Sequence, residues 1–459
     1  MNFLVLLILL PLQLWANESP SEGLRERVEE LDLRLGDLEI NQALKKFSFS
    51  GTFMNQLEYY SRAAENTGLI PGVNRMDSTN THLNPAAMKL ELNIDTKVSK
   101  ELNFFSTISM AKYYNLSDRN KRNKRDSGSF ISFAGSNNYK DSGAYFDMAY
   151  ISYNANNSPW TLAVGRMPTN NGPPLNQADG NSRTGTYPSL SFNNILDGIA
   201  GIYSFKNMLP KEQSLKIRVF YTPLTRMSLN DKSDQEVDGD GNAYNGEYGE
   251  SGEKIASSGF LGTLLTEYSI ENLAWAEKVD IYHSTYRVSQ FFSTGQQKLP
   301  VGTPGVPSEY TRDGIEYFDV TSQTVYLGAD QFFNTPFNIS FTYAHYDIDF
   351  SGESYKSENY MGTINYTFSG KKNAGDIAGI EYLHTDKNRI PSEETSFFTN
   401  DFYNMMNGEG YHLYYTKVVD ANQLVRLGYF SYYTQDSIFL LDDLKTNESA
   451  TYIRWKVFF

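Results

Sequence analysis

The chain of 459 residues contains no cysteine, which rules out disulfides, thiolate metal sites, iron–sulfur clusters and thiol nucleophiles. Tryptophan (4 residues) and histidine (5 residues) are scarce. A basic surface is missing too. With 54 acidic and 40 basic side chains the formal charge is −14, the wrong sign for gripping nucleic acid phosphates. After the first sixteen residues no apolar run approaches the ~18 residues that a membrane-crossing helix needs. What is abundant is Tyr (33), Phe (29) and Gly (34), a mixture that suits many strands and turns better than packed helices.

The opening stretch MNFLVLLILLPLQLWA is apolar but too short to span a bilayer, and Pro11 and Gln13 interrupt it. It reads as a secretory signal peptide, residues 1–16. Leu14 and Ala16 fit the −3 and −1 positions of a cleavage site, which would start the mature chain at Asn17. An exported chain without a spanning helix is released, anchored, or embedded as a β-barrel.

Residues 17–46 differ from everything after them, being rich in Leu, Glu and Arg and free of aromatics after Asn17. Leu24, Val28, Leu31, Leu35 and Leu38 follow the 4-3-4-3 spacing of a coiled-coil seam. The seam covers about two heptads, so the helix is marginal unless partnered. Two arrangements satisfy it: a parallel oligomeric coil, or a single amphipathic helix packed on or plugging a barrel.

From Phe47 the period becomes two. Ala86, Met88, Leu90, Leu92, Ile94 and Thr96 alternate with Lys89, Glu91, Asn93, Asp95 and Lys97, and Leu215, Ile217 and Val219 alternate with Lys216 and Arg218. About sixteen such segments recur between residues 47 and 459, each near the length of a tilted strand that crosses a bilayer. Some connections are tight, as at 98–102, 154–160, 206–214 and 419–423, while the intervening ones are long and polar. In the final stretch TYIRWKVFF, Thr451, Ile453, Trp455, Val457 and Phe459 share one face, and Tyr452, Arg454, Lys456 and Phe458 share the other. A soluble sandwich would have to hide sixteen apolar faces in one core, yet the charged faces are just as regular. The pattern fits an all-β fold: an antiparallel transmembrane β-barrel of about 16 strands, with 14 or 18 as neighbouring counts.

At these residues the chain resembles bacterial outer-membrane porins. The resemblance covers residues 47–459 in pattern, and its most specific element is the ending Trp455 to Phe459. In that class, Trp455, Val457 and Phe459 would form the signal read by the barrel-assembly machinery. The prefix resembles the coiled-coil extension of some trimeric porins, which implies a homotrimer with residues 17–46 in the periplasm. The implied partners are outer-membrane lipids, further copies of the chain and small hydrophilic solutes. No cofactor or metal follows from it.

A sixteen-stranded interior is wide enough for an aqueous channel, and selectivity then depends on the charges along the lumen. If apolar positions face outward, the interior set includes Lys89, Glu91, Asp95, Lys97, Lys216, Arg218, Arg426, Arg454 and Lys456. The resemblance implies a long loop folded inward as a constriction. The best match is 165–194, stiffened by Pro168, Pro173, Pro174 and Pro188, with Arg166, Asp179 and Arg183 projecting into the lumen.

Other motifs are weaker. The acidic stretch 231–253 has Asp238, Asp240 and Asn242 in calcium-loop spacing, but Ala243 and Gly249 stand where Gly and Glu are required. The basic run 117–127 fits a solvated loop. An outer-membrane hydrolase would need a nucleophile held against His82, His283, His345, His384 or His412, and these are scattered without a partner motif. An adhesin or structural barrel with a blocked lumen would share the strand pattern, and an apolar-ligand transporter would need a plug that the charged prefix fits poorly.

Overall fold

The computed structural model describes residues 47–66, 79–83, 86–113, 144–155, 158–169, 172–179, 185–191, 196–224, 259–293, 316–350, 353–368, 375–386, 403, 407–435 and 444–459. The helical prefix with Leu24, Val28, Leu31, Leu35 and Leu38, the basic run and the acidic stretch lie outside the described residues.

The strands in chain order are β1 (Phe47–Asn66), β2 (Thr79–Leu83), β3 (Ala86–Lys97), β4 (Leu102–Tyr113), β5 (Tyr145–Asn154), β6 (Trp160–Met167), β7 (Leu196–Ser204), β8 (Gln213–Leu224), β9 (Gly259–Leu273), β10 (Ala276–Ser293), β11 (Glu316–Asp330), β12 (Phe337–Phe350), β13 (Glu353–Thr367), β14 (Ile377–Thr385), β15 (Gly408–Asp420), β16 (Gln423–Gln435) and β17 (Leu444–Phe458). All belong to one sheet of antiparallel neighbours. Strands β2 and β3 both pair with β1, one beyond the other, and together fill a single place in the wall. The fold is therefore a closed antiparallel barrel of sixteen strands.

Closure runs from Thr52 opposite Phe458 to Asn66 opposite Leu444. At the short-turn end Gly51 N–H donates to Phe459 O at 2.7 Å, and Phe459 N–H donates back to Gly51 O at 3.1 Å. The sheet thus has no edge left to pair with another chain. Glycine at 51 is a matter of space, since a Cβ there would lie 2.4 Å from the Phe459 ring and 2.8 Å from Glu91 O.

Alternation sets the two faces. Leu57, Leu162, Val164, Ile199, Leu264, Phe341, Ile364, Ile380, Leu413, Leu427, Ile453 and Trp455 are exposed on the outside. Aromatic contacts bound this band toward the short turns, with Trp160 and Tyr203 at 4.7 Å and Phe337 and Tyr366 at 5.0 Å. Toward the other rim Tyr411 and Tyr429 lie at 6.0 Å. Inside, Gln56, Glu58, Thr107, Ser109, Glu267, Ser284, Asn365, Thr416, Arg426 and Arg454 are buried. The inner face is not purely polar: Leu261, Leu265, Val288, Leu383 and Phe430 also point inward and are buried.

Two sequence expectations need adjustment. The strands reach further toward the long connections than hydrophobic alternation suggests, because outward residues there are polar and their period is hard to see. As a result the connection between β12 and β13, expected to be long, shrinks to residues 351–352.

Turns at the short end are clamped by side chains. Asp376 accepts from Tyr415 Oη, from Val418 N–H at 3.0 Å and from Lys417 Nζ at 3.4 Å. The Tyr415 hydroxyl bond, followed by the Val418 and Lys417 contacts, holds the Asp376 carboxyl below its ordinary 3.8. A depressed carboxylate stabilises the fold above its unfolded pKa and loses that contribution as the pH falls through the folded value. Asp376→Asn should therefore lower thermal stability at neutral pH, with the gap to the parent closing as the medium is acidified below pH ~4. Gly51→Val should lower the unfolding temperature by several degrees and yield barrel that unfolds in detergent gels without heating. Gly201→Ala is the control, because a Cβ there meets nothing nearer than 4.0 Å.

Candidate functional site

The connection between β6 and β7 does not run over the surface. Its described parts, residues 168–169, 172–179 and 185–191, lie against the inner wall. Within the segment Ser189 N–H donates to Pro173 O at 3.0 Å and Thr186 Oγ1 to Pro168 O at 3.1 Å. The limbs approach so closely that a Cβ at Gly172 would sit 1.6 Å from Tyr187 O. Local turns follow the prolines: Gln177 N–H donates to Pro174 O at 2.9 Å, opening a single 3-10 turn, Gln177–Asp179.

Side chains then peg the segment to one half of the barrel. Tyr187 Oη meets Thr263 Oγ1 on β9, and Ser191 Oγ lies 2.6 Å from Ser284 Oγ on β10. Gln177 Nε2 donates to Tyr326 Oη on β11 at 3.1 Å, while its Oε1 accepts from Asn365 Nδ2 on β13 at 3.0 Å. Tyr346 Oη on β12 donates to Leu190 O, and Thr416 Oγ1 on β15 donates to Ala178 O at 2.9 Å. Tyr187 and Leu190 are buried with Leu261, Leu265, Tyr346 and Met361. Polar pegs and apolar packing together hold a partition inside the barrel. Below it, toward the short turns, a recess of about 530 Å³ opens among Asn176, Lys216, Glu267, Asp280, Tyr282 and Asp330.

The predicted lumen residues fall into three groups. Lys89 Nζ sits 2.8 Å from Glu91 Oε1 and 3.5 Å from Asp147 Oδ2, and Arg218 pairs with Glu267 at 3.1 Å. Arg426 and Arg454 face each other directly across β16 and β17. Their Nε atoms donate to Thr416 Oγ1 at 2.9 Å and to Gln56 Oε1 at 2.8 Å. Each guanidinium also lies over a ring, Tyr414 at 5.2 Å and Tyr452 at 5.4 Å. Asp95 is half-buried, on the face of Lys89 and Glu91. The second group is a single correction. Arg166 does not reach the lumen, because β6 continues to Met167 and Arg166 keeps the outward parity of Trp160, Leu162 and Val164. There it holds Asp197 through two bonds of 2.9 Å and donates to Phe146 O at 3.0 Å. In the third group, Arg183 and the side chain of Asp179 lie outside the described residues.

The structure also assembles a cluster around His412 that no sequence motif announces. His412 is buried on the inner face of β15, with Nδ1 2.8 Å from Glu381 Oε2 and Nε2 2.9 Å from Tyr452 Oη. Tyr403 donates to the same Glu381 oxygen. Residues 381, 412 and 452 come together only because β14 to β17 are neighbours. A hydrolytic arrangement would place a serine hydroxyl on one of those nitrogens. Here a carboxylate and a phenol occupy both. His345 and His384 pair instead with Asp347 at 3.2 Å and Asp386 at 3.5 Å. Among the described residues no group of three or more His, Asp or Glu side chains forms a metal-binding set.

Residues 78–221 match the model of a family described as "Protein of unknown function (DUF3373)". No curated protein matches the chain. Among solved structures, similar chains include OprB of Pseudomonas putida (12% identity, TM-score 0.48, covering 91% of this chain and 96% of that one). Others are OmpF of Salmonella typhi (10%, 0.45, 89% and 97%) and an anion-selective porin of Comamonas acidovorans (10%, 0.45, 89% and 99%).

Gln177→Ala removes a peg and strips Tyr326 and Asn365 of a partner, a cost of roughly 1–3 kcal/mol for buried groups. The expected outcome is faster amide exchange over residues 172–191 with barrel-strand exchange unchanged, read by mass spectrometry.

Proposed function

We propose that the chain is an outer-membrane porin, through which small hydrophilic solutes or ions diffuse passively. One observation carries this reading: an exposed apolar band wraps a closed barrel whose interior bears charged and hydroxyl side chains and an infolded segment pegged to one half of the wall. A continuous outward apolar band is stable in hydrocarbon and unfavourable in water. The closed sheet meets the requirement that every strand satisfy its backbone internally.

In this reading the described parts of the infolded segment, residues 168–169, 172–179 and 185–191, form the constriction. Solutes pass between the partition and the uncovered wall, where Lys89, Glu91, Asp95 and Asp147 set the field. Both signs are present, so selectivity depends on local arrangement rather than on the net charge. The proposal includes removal of residues 1–16, a homotrimer held in part by the periplasmic coil 17–46, and recognition of Trp455, Val457 and Phe459 by the assembly machinery. A second reading is a barrel whose lumen is occluded. It draws on the inward apolar cluster of Leu261, Leu265, Leu383 and Phe430.

Planar-bilayer recording separates the two. An open porin should insert with stepwise conductance. Replacing residues 172–191 by a short Gly-Ser linker should raise the step size several-fold, and Lys89→Glu should shift the reversal potential in a salt gradient toward cation preference. Silent membranes from folded protein would favour the occluded barrel.

A further inference from the structure

The seat of the infolded segment carries more polar atoms than the protein itself can satisfy. On the inner faces of β11, β12 and β13, the hydroxyls of Ser322, Thr324, Thr342 and Thr363 are buried without a hydrogen-bond partner in the protein, as is Glu381 Oε1 on β14. The segment lying over them contributes Ser189 Oγ in the same condition. All six residues are at most 5 % exposed. Buried polar atoms in native proteins are nearly always paired, with protein or with ordered water, and leaving one dry costs about as much as a hydrogen bond is worth. Six such atoms, on the infolded segment and on β11 to β14, call for partners other than the protein's own side chains.

Their spacing says what pairs with them. Thr324 faces Ala344, Thr342 faces Met361 and Thr363 faces Glu381. Thr324, Thr342 and Thr363 thus lie on one diagonal across three strands, in steps whose ends are ~7–8 Å apart, and Glu381 is the direct neighbour of the last at ~5 Å. The diagonal steps are too long for two short hydroxyl side chains to meet and leave room for one intervening water; Thr363 and Glu381 are near enough to bond directly, yet Thr363 Oγ1 and Glu381 Oε1 do not. The pegs straddle this diagonal. Tyr326, Asn365 and Thr416 grip residues 177–178 on its short-turn side, and Tyr346 grips Leu190 on the other.

We propose that the seam between the infolded segment and β11–β14 is a built water site, a file of ordered molecules running from Thr324 past Thr342 and Thr363 to Glu381. At its charged end a water accepts from Thr363 Oγ1 and donates to Glu381 Oε1, the carboxylate oxygen that His412 and Tyr403 do not use. The partition is fixed at its pegs and wet in between, so its centre is the part that yields. This rests on where the segment lies, not on whether solutes pass, and stands or falls apart from the porin reading.

Water is its own probe in synchrotron X-ray footprinting, where radicals form at bound water. Met361 is buried at 1 % exposure and sits directly opposite Thr342. In the full folded chain in detergent, brief irradiation should oxidise Met361 at a rate approaching that of the 67 % exposed Met208. Peroxide added in bulk should spare Met361. The triple variant Thr324→Val, Thr342→Val and Thr363→Val keeps the side-chain shapes and removes the hydroxyls. It should lower the Met361 rate several-fold and leave Met208 unchanged, and Thr342→Val alone gives the same readout should the triple variant not fold. An unreactive Met361 in the parent, a rate indifferent to the valines, or equal attack by bulk peroxide would each overturn the proposal.

Discussion

Closure of the sheet on itself is the constraint from which the other features follow. A strand presents a row of N–H and C=O groups to each side, and only pairing of the first strand with the last removes both edges at once. Here that seam joins β1 to β17 and is finished by the reciprocal Gly51 and Phe459 backbone bonds. Once the cylinder is sealed, period-two alternation has one meaning throughout: odd and even residues can no longer exchange faces without moving a whole strand. That is why the single residue Arg166 is so informative. Its place in β6 fixes it outside, whatever its charge would prefer.

A cylinder of sixteen strands encloses more space than its own inward side chains fill. The segment between β6 and β7 takes up part of that space, and the inner wall beneath it answers in kind. Tyr326, Asn365, Tyr346 and Thr416 offer hydroxyl and amide groups at the points of attachment, while Leu261, Leu265 and Met361 offer apolar surface. Away from the seat Lys89 and Glu91 pair locally, while Arg426 lies beside the peg Thr416 and over the Tyr414 ring. The interior is therefore divided into a seat and a charged face.

Much of the fold was legible in the residues. Each of the alternating segments expected between residues 47 and 459 is a strand, because Tyr, Phe, Val and Ile at alternate positions mark a half-buried strand strongly. The ends of β1, β13 and β17 toward the long connections show no such period, since polar residues there erase it. The inward placing of Arg218, Arg426 and Arg454 could be read from parity alone. The Glu381, His412 and Tyr452 cluster could not, as each residue looks like an ordinary polar member of its own strand.

The sequence by itself determined the local variables: which residues are extended, which side chains share a face, and where the chain turns. These depend on neighbours one to four positions away, and a linear pattern records such neighbours directly. Only the tertiary structure decided the strand order's closure, the direction taken by the segment after Met167, and the partners of Gln177, Tyr187 and His412. Apart from Tyr403, 9 positions from His412, those partners lie 31 to 188 positions away, and contacts at that range are fixed by the register of the completed sheet, which no short stretch of residues encodes.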